Sequence, residues 1–206
     1  MAKKTKVVQP PVQSGQWAVV EDEALRIVDG PMATGYNPNR KRALDAIKWI
    51  VIHYTGCDGD AHTLAKSFAR PDRDASTHYF VDETEARAVL PWQRIAWHIG
   101  DGKPHVGYSG TRNFDGYWHA TRLHLDRLGC SNNSSISVDI CAANVDGAWV
   151  LVGVDNASTL VRMLMDQLDI DVDHVVTHRD CTGKPCPQPW AADPGLFDAF
   201  KKSLKK

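Results

Sequence analysis

The sequence predicts an α/β fold, a single domain with a central mixed β-sheet flanked by helices. Short apolar segments that suit strands buried on both faces alternate with helical patterns along the chain, which is typical of this class. Two of the apolar segments, 48–53 and 174–178, end in histidine. Because ligands of open α/β sheets bind beyond the carboxyl ends of strands, both histidines are candidates for a functional site.

Length and composition indicate one globular domain. The 206 residues are 43% hydrophobic and 24% charged, which is ordinary for a globular protein of a size that buries a substantial core. We expect a flexible N-terminal arm at residues 1–15, which are polar and basic and contain two adjacent prolines. The predicted domain covers 16–206, with a motif-bearing core at about 45–192.

In the first half of the chain, short apolar runs predict strands, and clusters of Pro, Gly and Asn predict the loops between them. Residues 17–28 alternate loosely, so they form either a strand or a segment that wraps the domain. The elements expected next are a loop at 30–42, a strand at 48–53, a short helix at 61–68, and a hairpin with strands at 77–82 and 88–92.

In the second half, residues 99–134 are rich in Gly, Asn, Ser and aromatic residues without a long period, which predicts a functional loop region. Ser158 is a candidate N-cap of a helix that ends at Leu168 and turns Leu160 and Leu164 inward. The remaining expected elements are strands at 136–141, 149–152 and 174–178, and a closing helix at 194–204.

Charge and hydropathy exclude several classes of function. Lys plus Arg number 24 and Asp plus Glu number 25, so a net charge of -1 gives no basic excess for nucleic acid. No apolar run approaches the ~20 residues of a membrane span, and no signal-peptide core follows the basic N-terminus. We expect a protein made in the cytoplasm without a signal peptide, with no membrane span and no nucleic-acid partner. We also expect a monomer.

Cysteine and histidine together predict a metal site. Five cysteines, an odd number, argue against a disulfide framework, and most of them are interpreted as small buried hydrophobic residues. Cys186, however, follows His178 on a loop, and both side chains are good zinc ligands. His53 from the other strand end would complete three ligands with one open position, as in catalytic zinc sites. The alternative is a hydrogen-bonded core histidine and a buried thiol.

Five sequence blocks are more informative together than singly. They are Val51-Ile-His-Tyr-Thr55, Ser76-Thr-His-Tyr-Phe-Val-Asp82, Ala96-Trp-His-Ile-Gly100, Asn133-Ser-Ser-Ile-Ser-Val-Asp-Ile140, and Thr177-His-Arg-Asp180 followed by Lys184-Pro-Cys-Pro187. In this order they resemble the zinc-dependent N-acetylmuramoyl-L-alanine amidases of the type-2 amidase family. That family includes phage amidase lysins and is related to peptidoglycan recognition proteins.

The resemblance implies that His53, His178 and Cys186 bind zinc and that Lys184 is catalytic, because these positions match the family's ligands and lysine. Some family members carry a tyrosine before the histidine of the second block, where this chain has Thr77. Other members carry a glutamate in the fourth block.

The residue that matches this glutamate is Asp139, one methylene shorter, and we assign it as the general base. Its alternative role is to orient a metal ligand. Tyr79 is outside the tyrosine register and is interpreted as packing. We expect Trp97 and His98 to line the groove for the stem peptide, with core packing as the alternative for Trp97.

The implied reaction is hydrolysis of the amide between N-acetylmuramic acid and L-alanine in peptidoglycan. One Zn²⁺ per chain would polarise the carbonyl, Asp139 would transfer protons, and Lys184 would stabilise the developing negative charge. We expect a phage endolysin that acts on the cell wall, in the host periplasm or envelope, after release.

Four alternatives remain for the function. The chain could be a cytoplasmic muropeptide-recycling amidase, a secreted effector amidase, or a peptidoglycan-binding module without activity. It could also be a hydrolase with Cys186 as nucleophile and His178 as base.

Overall fold

A computed structural model of the protein describes residues 21–22, 25–100 and 129–205. The predicted arm at 1–15 and most of the predicted loop region at 99–134 lie outside these residues. Within the described ranges the predicted fold class is confirmed, since helices flank one mixed β-sheet. None of the helices described is both long and apolar enough to cross a membrane.

The strands of the described residues form one mixed sheet. The strands of the described chain are β1 (Glu21–Asp22), β2 (Leu25–Asp29), β3 (Trp49–Asp58), β4 (Tyr79–Val81), β5 (Ala86–Ala88), β6 (Ser135–Val145), β7 (Ala148–Leu151) and β8 (Val175–Thr177). Their spatial order is β1-β2-β5-β4-β6-β3-β8, and β7 pairs with β6 beside this path. β3 is parallel to β6 and β8, and β6 is parallel to β4, whereas β4–β5 and β6–β7 are antiparallel.

The helices connect and cover these strands. Those in the described ranges are α1 (Ala61–Phe68), α2 (Val154–Leu168), α3 (His178–Thr182), α4 (Gln188–Ala192) and α5 (Pro194–Ser203). α1 has the predicted bounds, and it begins where the carboxylate of Asp60 accepts the backbone N–H of Thr63. The closing helix α5 ends one residue earlier than predicted.

The predicted N-cap of the long helix is wrong. α2 begins at Val154, four residues before Ser158, and its N-cap is Gly153 with φ 91°. A Cβ at Gly153 would lie 2.3 Å from the carbonyl carbon of Asp82, so only glycine permits this close approach. Ser158 is instead buried inside the helix, where its hydroxyl donates to the carbonyl of Asp155.

The predicted hairpin is shorter than expected because Asp82 ends its first strand. The Asp82 carboxylate accepts the backbone N–H groups of Thr84 and Glu85, which forms a tight turn directly after β4. The same carboxylate accepts the N–H of Ala61 at the start of α1. The second strand, β5, therefore begins before the predicted range of 88–92 and ends at its first residue.

The two faces of the central strands have different roles. Ile52 of β3 and Val138 of β6 belong to the main core, together with buried residues of α2 and α5. Successive side chains of a strand point to opposite faces, so His53 and Asp139 point away from that core. The fold thus places polar side chains of two adjacent parallel strands on one face of the sheet.

Most of the other cysteines have the predicted environment. Cys130, Cys141 and Cys181 are buried free thiols, and the sulfur atoms of Cys130 and Cys181 lie 3.4 Å apart. Cys57 is exposed, so the interpretation as a buried hydrophobic residue does not hold for it.

Candidate metal centre and active site

Two histidines lie side by side where two parallel strands stop pairing. The last residue pair of β3 and β8 is Ile52 with Thr177, and the next residue of each chain is His53 or His178. Their ring centroids are 4.6 Å apart. His53 is not at a strand end as predicted, because β3 continues along β6 as far as Asp58, and His178 is the first residue of α3.

A short helix and a tight loop return Cys186 to the histidines. α3 ends at Thr182, and the next residue, Gly183, has a φ of 76°, which is that of a left-handed C-cap glycine. The carbonyl of Cys186 then accepts the backbone N–H of Arg179, in the first turn of α3, at 3.0 Å. As a result, the sulfur of Cys186 lies 3.8 Å from Nδ1 of His53.

The three predicted metal ligands come together in a group that could hold a metal ion. One ligand atom each from His53, His178 and Cys186 lies within 4.8 Å of the others, and all three residues are buried. Zinc binds imidazole nitrogen at ~2.0 Å and thiolate sulfur at ~2.3 Å, so this donor set fits one zinc ion. Burial lowers the pKa of His53 well below its usual range, helped by His98 and Lys184, which keeps the ring neutral.

Both histidines of this group are hydrogen-bonded through their other nitrogen. Nε2 of His53 lies 2.9 Å from Nδ1 of His98, and Nε2 of His178 lies 3.3 Å from the carbonyl oxygen of Ile99. Nε2 of His98 lies in turn 3.0 Å from the hydroxyl of Ser135. His98 is half-buried, and both of its ring nitrogens are directed at protein atoms. Its role in the substrate groove stays a prediction.

Asp139 lies beside His53 across the β3–β6 pair. Burial raises the pKa of Asp139 to about 7, although a hydrogen bond from Thr77 and the positive charge of Lys184 oppose the shift. A carboxyl group with a pKa near neutrality can accept and return a proton at physiological pH. Thr77 thus supports this carboxyl group from the position where the resemblance expects a tyrosine in some members.

Lys184 is half-buried on the loop that carries Cys186. Its positive charge lowers the pKa values of His53, Asp139 and Cys186, so the ammonium group acts on all three. A cation in this position is suited to stabilise a negatively charged oxygen of a bound substrate.

The two aromatic residues weighed in the sequence have different environments. Trp97 is 38% exposed, which favours a surface role over the alternative of core packing. Tyr79 is 3% exposed, and its hydroxyl accepts the indole N–H of Trp92 at 2.7 Å, so its interpretation as packing is confirmed.

The sequence analysis missed two polar residues next to the metal group. Oδ1 of Asn132 accepts the backbone N–H groups of His98 and Ile99 at 3.0 and 2.9 Å, and Ser135 contacts the ring of His98. Ser135 lies near the start of the fourth sequence block, and Asn132 lies just before that block. The signal that could have identified them is a run of short polar side chains directly before a buried strand.

Known proteins resemble this chain in sequence over most of its length. The family profile described as N-acetylmuramoyl-L-alanine amidase matches residues 43–189. A probable N-acetylmuramoyl-L-alanine amidase of Bacillus licheniformis is 29% identical over 167 residues, which cover 78% of this chain and 42% of that protein. The N-acetylmuramoyl-L-alanine amidase XlyA of Bacillus subtilis (strain 168) is 31% identical over 161 residues, 76% of this chain and 43% of XlyA. The chain spans less than half the length of these curated relatives.

The fold comparison gives the same result. The solved structure of PlyL matches with a TM-score of 0.65 and 25% sequence identity, covering 88% of this chain and 98% of the PlyL chain. The segment matched by the family profile covers more than half of the chain, and it includes all three residues of the metal group. This chain therefore belongs to the N-acetylmuramoyl-L-alanine amidase family.

Proposed function

We propose that this chain is a zinc-dependent hydrolase of the amide bond between N-acetylmuramic acid and L-alanine in bacterial peptidoglycan. The observation that carries the proposal is the meeting of three buried metal-ligating side chains with a carboxyl group whose pKa is about 7. The names of the curated relatives support the same reaction.

Each polar residue of the site has a chemical role in this proposal. His53, His178 and Cys186 would hold one zinc ion, which supplies Lewis-acid polarisation of the substrate carbonyl when it is bound. Asp139 accepts a proton from the attacking water and returns it to the nitrogen of the leaving L-alanine. The ammonium group of Lys184 stabilises the negative charge that develops on the former carbonyl oxygen.

Trp97 and His98 are the proposed contacts of the stem peptide. The exposed part of the Trp97 ring offers an apolar surface on which a peptide can pack. His98 is half-buried and both of its ring nitrogens contact protein atoms, so we expect its contribution to be smaller than that of Trp97.

The environment of Cys186 argues against a thiol hydrolase. Cys186 is 2% exposed, and burial raises the pKa of its thiol to about 12, although Lys184 opposes the shift. Nucleophilic cysteines need a lowered pKa and access to the substrate, which is the opposite environment. A buried thiol of this kind suits a ligand, because a metal ion displaces the proton on binding.

The deciding experiment is digestion of purified sacculi followed by mass spectrometry of the products. We expect glycan strands with intact lactyl groups and released peptides that begin with L-alanine. A chelator should abolish the reaction and added Zn²⁺ should restore it. Activity that persists in the chelator would indicate a thiol hydrolase, and binding to sacculi without any product would indicate a binding module.

We further propose that the chain acts on the cell wall as an endolysin-type monomer after release from the cytoplasm. The similarity to XlyA, which is named an N-acetylmuramoyl-L-alanine amidase, supports the action on the cell wall in this assignment. Comparing rates on intact sacculi with rates on soluble muropeptides tests it, since a recycling enzyme prefers the soluble fragments. A higher rate on the soluble muropeptides would contradict the endolysin assignment.

A further inference from the structure

We infer that Asn132 and Ser135 are positioning residues that fix the tautomers of both histidine ligands. They act through the segment His98–Ile99, so that the Nδ1 lone pairs of His53 and His178 point to the metal. The inference rests on the proposed zinc function and assigns roles to residues outside the ligand set.

The first half of the argument follows the proton positions from Ser131 to His53. The hydroxyl of Ser135 lies 2.6 Å from the carbonyl oxygen of Ser131, which can only accept, so the hydroxyl donates there. Its oxygen then accepts the Nε2–H of His98 at 3.0 Å. A neutral His98 carries its lone pair on Nδ1, which accepts the Nε2–H of His53 at 2.9 Å. The lone pair of His53 therefore lies on Nδ1, the atom that faces the sulfur of Cys186.

The tautomer of His178 is set by a backbone carbonyl, and it is the same as that of His53. The carbonyl oxygen of Ile99 can only accept, so Nε2 of His178, 3.3 Å away, carries the proton. The lone pair of a neutral His178 is then on Nδ1 as well. Adjacent residues of one segment thus select the same tautomer in both ligands.

Asn132 holds that segment in place. Its Oδ1 accepts the backbone N–H groups of both His98 and Ile99, at 3.0 and 2.9 Å. The main chain of Asn132 is itself fixed, because its carbonyl accepts a hydrogen bond from the buried guanidinium of Arg42 at 2.9 Å. One side-chain oxygen thereby sets the position of the two groups that orient the two histidines.

The first test measures zinc affinity by competition with a chromophoric chelator in the full chain. Hydrogen-bond partners of metal ligands typically change metal affinity by about 10–100-fold when they are removed. We expect Asn132→Ala to weaken zinc binding to that extent, and Asn132→Asp, which keeps an oxygen acceptor at Oδ1, to recover most of the loss. Asn133→Ala is the matched control, because the side chain of Asn133 is exposed beside it. Asn132→Ala that binds zinc as tightly as Asn133→Ala would overturn the inference.

The second test reads the tautomers directly, first in the parent protein and then in two variants of Ser135. Long-range ¹⁵N–¹H spectra of histidine-labelled, metal-free protein at pH 8 should show His53 and His178 protonated at Nε2. Ser135→Ala should give His53 a mixture of tautomers and weaker zinc binding, and Ser135→Thr should restore both. A parent protein with His53 protonated at Nδ1 would overturn the inference. Failure of the parent to bind zinc at all would contradict the proposed function instead.

Discussion

The candidate site has a strand side and a loop side, and they are held by different kinds of contact. On the strand side, His53 and Asp139 lie on adjacent central strands, and hydrogen bonds fix the histidine ring. On the loop side, Lys184 and Cys186 lie between two short helices, and backbone N–H groups donate hydrogen bonds that hold this loop, that of Arg179 to the carbonyl of Cys186 and that of Lys184 to Oγ1 of Thr182. Each side supplies at least one metal ligand and one group for proton or charge chemistry. The comparison indicates that the paired strands hold His53 and Asp139 before a metal binds, whereas a bound metal would further restrain the loop that carries Lys184 and Cys186.

The largest expected effect is the loss of metal when either side loses its ligand. We expect His53→Ala and Cys186→Ala each to reduce zinc from one equivalent per chain to near zero, and to reduce sacculus digestion to background. Elemental analysis and a turbidity assay measure these quantities. Cys57→Ala, which removes an exposed thiol, is the control. Full zinc content in Cys186→Ala would mean that the strand side binds metal without the loop.

The next effect tests the strand side without touching a ligand. We expect Asp139→Asn to keep its zinc and to lose activity by about 10²–10⁴-fold, as for a positioned general base. Because the pKa of Asp139 is about 7 and only the ionised form accepts a proton, the parent rate should fall as pH drops below neutrality. This limb should flatten in Asp139→Asn. Near-normal turnover by the variant would assign Asp139 to orientation of a ligand, and exposed Asp166→Asn is the control.

A smaller effect is expected from the loop side. Lys184→Ala should retain zinc and lose about 10²–10³-fold in turnover, the size expected for one group that stabilises an oxyanion. Steady-state kinetics on a soluble muropeptide separates this loss of kcat from a change in KM. Lys66→Ala removes an exposed lysine on α1 and should behave as the parent does. Unchanged kcat in Lys184→Ala would leave charge stabilisation to the metal alone.

The smallest effect should be on stability. Stripping zinc is expected to lower the Tm while leaving a cooperative transition, because a core of this size folds without a metal. Hydrogen exchange should accelerate in the backbone amides of Gly183, Lys184 and Cys186 and stay slow in β3 and β6. Equal acceleration on both sides would contradict the difference between them, and a fully unfolded metal-free chain by circular dichroism would contradict the prediction as a whole.

Sequence reasoning found the residues of the site better than the contacts that orient them. His53, His178 and Cys186 stand in recognisable blocks, so their meeting could be predicted, and the alternation within β3 and β6 explains the shared face of His53 and Asp139. The continuation of β3 beyond His53 could not be predicted, because residues 54–58 lack an apolar pattern and pair through the register of β6.

The ends of helices and the hydrogen bonds that orient the site residues could not be predicted from the sequence either. Ser158 is a reasonable N-cap by residue type, yet α2 begins earlier, at Val154. Its N-cap is Gly153, which approaches the backbone of Asp82 closely. The link from Asn132 to His98 spans 34 positions of the chain, and its partners are backbone N–H groups that no residue pattern reveals.

The buried guanidinium of Arg42 bears on where a minimal catalytic fragment can begin. Arg42 donates to the carbonyl oxygens of Trp92, Asn132 and Ser135 and is 7% exposed, yet it lies one residue before the segment matched by the family profile. An expression fragment cut at the profile boundary would leave those carbonyl groups without their donor. β2, which also precedes the profile, would be removed too, and β5 would become an uncovered edge strand prone to self-association. Fragments intended for crystallisation or protein engineering should therefore start before Leu25.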